Sequence, residues 1–178
     1  MTTANSTAIS TYTLRAIPAE TLAELRRLDD AGKPMEPYVA SADGVPIDSI
    51  GSPLRCCLRS VRAGERIALV AYAPLRRWAA QTGAHPGAYD EVGPTFIHAD
   101  ECRGPVGSEF PFARPGALRT IRCYDPSGYV VGGSEFQIPE DAQAGFDQVL
   151  SEAFSDPQVV LVHVRALEYG CFQFEVRR

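Results

Sequence analysis

The residues of this chain best suited to chemistry are two histidines inside strand-like runs, His98 in TFIHAD and His163 in VVLVHVR, with arginines and a cysteine near the second. An imidazole titrates near neutral pH, so it can move a proton or hold a metal. The planar guanidinium fork suits carboxylates and similar anions. In VVLVHVR the side chains alternate faces, which puts Leu161, His163 and Arg165 opposite Val160, Val162 and Val164. In CFQFEVRR the same alternation sets Phe172, Phe174 and Val176 against Cys171, Gln173 and Glu175. The polar face is either the wet side of a half-exposed antiparallel sheet or the floor of a pocket containing His163, Arg165 and Cys171. If His98 and His163 converge there, they form an acid–base pair or metal ligands, and the spacing of 65 residues is neutral on this point.

Cys171 follows Tyr169-Gly170 and is a candidate nucleophile, activated if Arg55 or Arg165 lies close enough to favour its thiolate. Buried, it is inert filler instead. Read as part of a strand, Cys56 and Cys57 point to opposite faces, so at least one belongs to the core. Cys102 comes four residues after His98, a spacing loosely compatible with zinc. No His-Glu-x-x-His, Cys-x-x-Cys or His-x-His accompanies it, so no metal ligand set is assigned. Neither a Gly-x-Ser-x-Gly elbow nor a Walker loop is present, and no cofactor is expected. Among adjacent carboxylates, Asp90-Glu91 ahead of Val-Gly-Pro is the pair placed for a site. His85, in His-Pro-Gly, reads as an exposed loop residue.

The elements that must position these groups follow from periodicity and turn chemistry. Tyr12 to Ile17 reads as a strand, and Pro18 opens a helix to about Asp30 with Leu22, Leu25 and Leu28 on one side. Lys33 to Pro53 is a long Pro- and Gly-rich loop with a short strand at 38–40. Two β-like runs, 54–61 and 66–73, suggest a hairpin across Arg-Ala-Gly-Glu. Pro74 starts a short helix that Gly83 ends, and Thr95–Ala99 is a strand. Asp-Pro-Ser-Gly joins strands 118–124 and 129–136, and Gly132-Gly133 marks a bulge or a close backbone approach. Residues 139–154 carry the apolar period of an amphipathic helix, and the last two strands close the chain. The expectation is a single α+β domain over residues 11–178, a largely antiparallel sheet of hairpins with two or three helices packed on one side, after a frayed tail at 1–10.

A length of 178 residues and 45% hydrophobic content support a buried core without staples. With 22 acidic against 17 basic residues the net charge is −5, which argues against nucleic acid as a partner. No apolar stretch approaches the ~20 residues of a membrane span. MTTANSTAIS has neither a basic region nor an apolar run, so no export signal is expected. Five cysteines, an odd number with two adjacent, make a poor disulfide framework and suit a reducing cytoplasm.

The strings PLRCCLR, AGERIALVAYAP, YDEVGPTFIHADEC, LRTIRCYDPSG and VHVRALEYGCFQF resemble the bacterial family catalogued as domain of unknown function 1203, over roughly residues 45 to 177. That resemblance implies no established activity. It points to Arg55, Cys56, Glu91, His98, Tyr124, Asp125, His163, Arg165, Tyr169 and Cys171 without assigning roles. The chain departs from the pattern around Phe110–Gly116 and at Gly132-Gly133. The resulting expectation is a cofactor-independent enzyme of cyclase or isomerase type acting on an anionic small molecule. His98, His163, Tyr169 and Cys171 are its candidate catalytic groups, and Arg55, Arg165, Glu91 and Tyr124 its substrate-binding groups. The alternative is a non-catalytic ligand-binding or thiol redox-sensing module, and a homodimer is compatible with either.

Overall fold

A computed structural model describes residues 12–41, 50–107 and 109–178. The expected tail at 1–10 and much of the loop after Lys33 lie outside the described residues. Along the chain run β1 (Thr13–Arg15), α1 (Ala19–Leu25), β2 (Tyr38–Val39), β3 (Pro53–Leu54), β4 (Arg59–Ser60) and β5 (Arg66–Tyr72). They are followed by α2 (Pro74–Thr82), a 3-10 turn (Gly87–Tyr89), β6 (Gly93–His98), β7 (Leu118–Tyr124) and β8 (Val130–Gln137). The last elements are α3 (Ala142–Ser155), β9 (Leu161–Ala166) and β10 (Phe172–Arg177). The architecture is α+β and mostly antiparallel, with the strands divided between two sheets. One has the order β1-β10-β9-β7-β8, the other β2-β5-β6-β3-β4. Only the β3–β6 pairing is parallel among the described strands.

Local chemistry explains the best-defined joins. The Asp125 carboxylate accepts from the backbone N–H of Ser127 and of Tyr129, both at 2.9 Å, and Gly128 takes φ +87°. That Asx-type turn returns β8 onto β7. In α3 the Asp141 side chain caps the Ala144 N–H, while Phe146, Leu150 and Phe154 face inward. They pack on Ile121, Val162, Val164, Phe174 and Val176 of the first sheet. On its opposite face Tyr124 and Leu161 meet Leu75 and Trp78 of α2. Leu22 and Leu25 of α1 join Ile67, Val70 and Ile97 of the second sheet. Helix α1 stops earlier than its apolar spacing suggests. The Asp29 carboxylate accepts from Ala31, Lys33 and Ala71 N–H groups, and Asp30 from Ala73 N–H, which pulls the chain off the helix and leaves Leu28 exposed.

Two expectations are corrected. Residues 54–61 do not form one strand hairpinned to 66–73. The chain reverses within Arg55–Leu58, where Leu58 N–H donates to Leu54 C=O at 2.9 Å and Leu58 enters the left-handed region at φ +57°. β3 and β4 therefore pair with each other, and β5 pairs with β2 and β6. Phe172 also leaves the face of Phe174 and Val176. A bulge gives Phe172↔Arg165 followed by Phe174↔Val164, so one extra residue turns Phe172 toward the second sheet.

The close-approach reading of Gly132-Gly133 matches the geometry. A Cβ on Gly133 would run into the Ile121 carbonyl oxygen, whereas one on Gly132 would touch Cys123 at an ordinary 3.9 Å. We expect Gly133→Ala to lower stability by about 1–3 kcal/mol and Gly132→Ala to change it far less. Urea unfolding of the two variants measures the difference, and equal losses would contradict the close approach.

Candidate functional site

The two sheets meet where β10 begins. The Arg55 guanidinium is buried at this seam, with Nε donating to Phe172 C=O at 2.8 Å and Nη1 to Pro53 C=O. Burial lowers its pKa to about 10, and the nearby Cys171 acts in the other direction. The rings of Tyr72 and Phe172 pack edge to face at 5.6 Å across the same seam. Above them opens a cleft of about 360 Å³ lined by Tyr72, Glu91, Pro94, Arg165, Tyr169 and Cys171, among others. That volume lies within the range of small-molecule sites, roughly 300–1,000 Å³.

Glu91 dominates the cleft's electrostatics. Its Oε1 accepts from Arg122 Nη1 at 2.8 Å and its Oε2 from Arg165 Nη1 at 2.7 Å. Burial would raise this carboxyl, but the hydrogen bonds and charges of the two arginines hold it below its ordinary value. Arg165 Nε also donates to Gly170 C=O at 2.8 Å, which ties the fork to the turn before β10. Tyr124 stands behind Arg122, and burial pushes its phenol up against the opposing influence of that guanidinium, so it keeps its proton. Tyr169 lines the mouth and is 88% exposed. Glu91, Arg165, Tyr169 and Cys171, which the sequence left scattered, thus line one opening, while Arg55 and Tyr124 are buried behind it.

His163 lies on the same sheet face, beneath this cleft, and is 0% exposed. Tyr124 and Phe172 pack edge-on to its ring at 4.8 and 5.1 Å. Neither ring nitrogen has a hydrogen-bond partner among the described residues, and Glu175 Oε2 is 4.0 Å from Nε2. Burial, then the charges of Arg165, Arg122 and Arg177, hold its pKa well below the usual imidazole value. It is a neutral ring in an aromatic slot. Glu175 itself is paired with Arg177 at 2.6 Å.

His98 belongs to a different cluster, at the end of β6 in the second sheet. Its Nδ1 is 3.4 Å from Cys56 Sγ and 3.8 Å from Cys57 Sγ, and the two sulfurs are 3.9 Å apart. The turn at Leu58 places both thiols on one side, where an extended strand would have separated them. That corrects the opposite-face reading of the pair. Cys102 completes a group of four whose ligating atoms all lie within 4.8 Å of one another. Arg59 makes a two-pronged contact with Glu65, at 3.0 and 2.5 Å, and its Nη2 is 3.2 Å from His98 Nε2. A guanidinium offers only donors, so in this arrangement Nε2 accepts and Nδ1–H faces the sulfurs. Glu65 is held down to about 2 by the Arg59 hydrogen bonds. The Cys57 thiol is lowered, first by the hydrogen bond from Cys56 and then by His98 and Arg59, while Cys56 is raised by making that bond.

The two histidines therefore serve separate neighbourhoods. Arg122 carries no motif that singles it out in the sequence, although its alternation onto the face of Tyr124 is enough to place it here. Spacing marks Cys102 only as a weak companion of His98 and does not mark Cys56, Cys57, Arg59 and Glu65 as neighbours of the ring. Among the described residues no helix is long and apolar enough to cross a membrane.

No curated protein and no solved structure matches the chain. A family model does match, over residues 51–178, a stretch containing every residue of the cleft and of the thiol–imidazole cluster. The chain belongs to that family, described as a protein of unknown function (DUF1203).

Proposed function

We propose that the protein binds a carboxylate-bearing small molecule in the cleft between the two sheets, held by Arg165 and Arg122. The observation that carries this reading is Glu91, whose carboxylate lies across the two guanidiniums with one oxygen on each. It is a built-in sample of what the pair recognises. Two arginines against one carboxylate leave a positive excess, increased by Arg55 beneath. Arg165 Nη2 keeps its donors without a partner among the described residues. Charge-assisted, planar hydrogen bonds of this kind are among the strongest recognition contacts proteins make.

The geometry favours binding over the acid–base enzyme built on a histidine pair. His163 has no exposed atom for a ligand to meet, and His98 faces thiols at another place in the fold. Glu91 in the cleft is held as a weak base, and Tyr124, buried behind Arg122, as a weak acid. Neither of these two groups is held in a state suited to proton transfer near neutral pH.

The test is thermal and chemical unfolding of the protein against a panel of mono- and dicarboxylates and their neutral amides. A carboxylate at 100 times its dissociation constant should stabilise by about 2.7 kcal/mol, and its amide should not. Arg165→Met and Arg122→Met should each abolish the shift, whereas Glu91→Ala, which frees both forks, should enlarge it. No stabilisation by any carboxylate, or stabilisation that survives both arginine variants, would sink the proposal.

A further inference from the structure

We propose that Cys56, Cys57, His98 and Cys102 form a zinc site, with three thiolates and one imidazole in a tetrahedron. A tetrahedral zinc ion with Zn–S near 2.3 Å and Zn–N near 2.0–2.1 Å sets its ligand atoms roughly 3.5–3.8 Å apart. The edges found here are 3.4 Å (His98 Nδ1 to Cys56 Sγ), 3.8 Å (Nδ1 to Cys57 Sγ) and 3.9 Å (Sγ to Sγ). Three of the four ligands already stand at the corners of such a figure. Cys102, on the loop after β6, has its sulfur within 4.8 Å of the rest, so about 1 Å of loop closure completes it. Soft thiolates with one imidazole select zinc over hard cations such as magnesium or calcium.

The surroundings point the same way. Leu58 takes φ +57°, a left-handed conformation that is strained for a residue with a side chain. What that strain secures is the juxtaposition of two sequential thiols. The His98 backbone N–H donates to Cys56 Sγ at 3.3 Å, a contact that favours a thiolate at that position. Zinc-bound imidazoles hand their second ring N–H to a carboxylate, and Glu65 Oε1 stands 3.7 Å from His98 Nε2. On binding, the imidazole proton moves from Nδ1 to Nε2, the protonated thiols release theirs to solvent, and the half-exposed Arg59 fork yields to Glu65. Three thiolates and Zn²⁺ carry one net negative charge, and Arg59, between that centre and Glu65, offsets part of the combined charge. Cys56 is buried and Cys57 nearly so, which keeps competing water away from the sulfurs.

The experiment is anaerobic titration of the reduced, full-length chain with Zn²⁺ against a chromophoric chelator, with Co²⁺ as a spectroscopic stand-in. One equivalent of Zn²⁺ is expected to be taken from the chelator. Co²⁺ should show the intense visible bands of a tetrahedral site, with thiolate-to-metal charge transfer. Cys102→Ser and His98→Ala should each weaken Zn²⁺ binding by tenfold or more, and Glu65→Gln by about 10–100-fold. Cys123→Ala, which alters a thiol in the core under α3, should leave it unchanged. An octahedral Co²⁺ spectrum without charge transfer in the wild-type chain, or Zn²⁺ uptake indifferent to the Cys102 and His98 changes, would overturn the proposal. The wild-type Co²⁺ spectrum decides the matter even if a variant fails to fold.

Discussion

Replacing Phe146 with alanine is expected to cost about 3–5 kcal/mol of folding stability, the range for emptying a buried aromatic site. The side chain is fully buried in α3. It stacks on Phe110 at 4.6 Å, meets Phe136 edge-on at 5.0 Å and lies 6.0 Å from Phe174. One ring thereby ties the helix to β8, to β10 and to the irregular segment before β7. Removing it deletes apolar burial at about 25 cal/mol per Å² and three ring contacts at once. Collapse around the hole is restrained because two of these partners, Phe136 and Phe174, belong to paired strands. Phe146→Leu, which keeps most of the volume, should cost less than half as much. Urea midpoints of the two variants measure this, and a loss below about 1 kcal/mol for the alanine change would mean that the aromatic cluster is not closed. The cysteines of the proposed zinc site lie against the other core, so Zn²⁺ uptake by the folded variant should be retained.

A second large effect is expected on acidification and is traceable to His163. Its folded pKa is depressed by burial and by Arg165, Arg122 and Arg177. The unfolded chain therefore takes up a proton that the folded chain refuses. The associated stability is fully present above the unfolded value of about 6.5. It is lost as pH falls, at about 1.4 kcal/mol per unit, until the folded value is reached. Glu175 acts with the opposite sign. Burial raises its carboxyl above 4.5, so its contribution is present at low pH and is lost as pH rises. Glu65, lowered from 4.5 to about 2, acts only below that interval. Comparison of wild type with His163→Phe isolates the histidine. Between pH 7.5 and 5, wild type should lose about 2 kcal/mol more than the variant. At pH 7.5 the variant should be no less stable, since the ring it replaces has two unpartnered nitrogens in an aromatic slot. Parallel pH profiles for the two proteins would show that His163 is reached by solvent.

What the sequence made legible was local. The Asp-Pro-Ser-Gly turn, the apolar period of α3, Pro74 and Gly83 at the ends of α2, and the alternation in β9 each depend on neighbours within a few residues. The site was legible where alternation alone placed a side chain, as with His163 and Arg165 on one face. It failed where backbone geometry departed from the residue types. Leu58 carries no turn signature, so nothing announced that the chain reverses there and brings Cys56 beside Cys57. Phe172 sits in a regular-looking alternation, and only the pairing with β9 reveals the extra residue. That His98 and His163 lie on different sheets depends on contacts between strands far apart in the chain, and spacing does not encode those.

The extra residue at the start of β10 makes this strand the common property of two hydrophobic interiors: Phe172 enters one, Phe174 and Val176 the other. Neither half can then melt and leave the other intact, because stripping the last strand from either interior removes a large ring from both. The molecule should behave as one cooperative unit, despite having two sheets. A ligand bound at the proposed cleft, which sits at the head of that strand, would accordingly stabilise both layers.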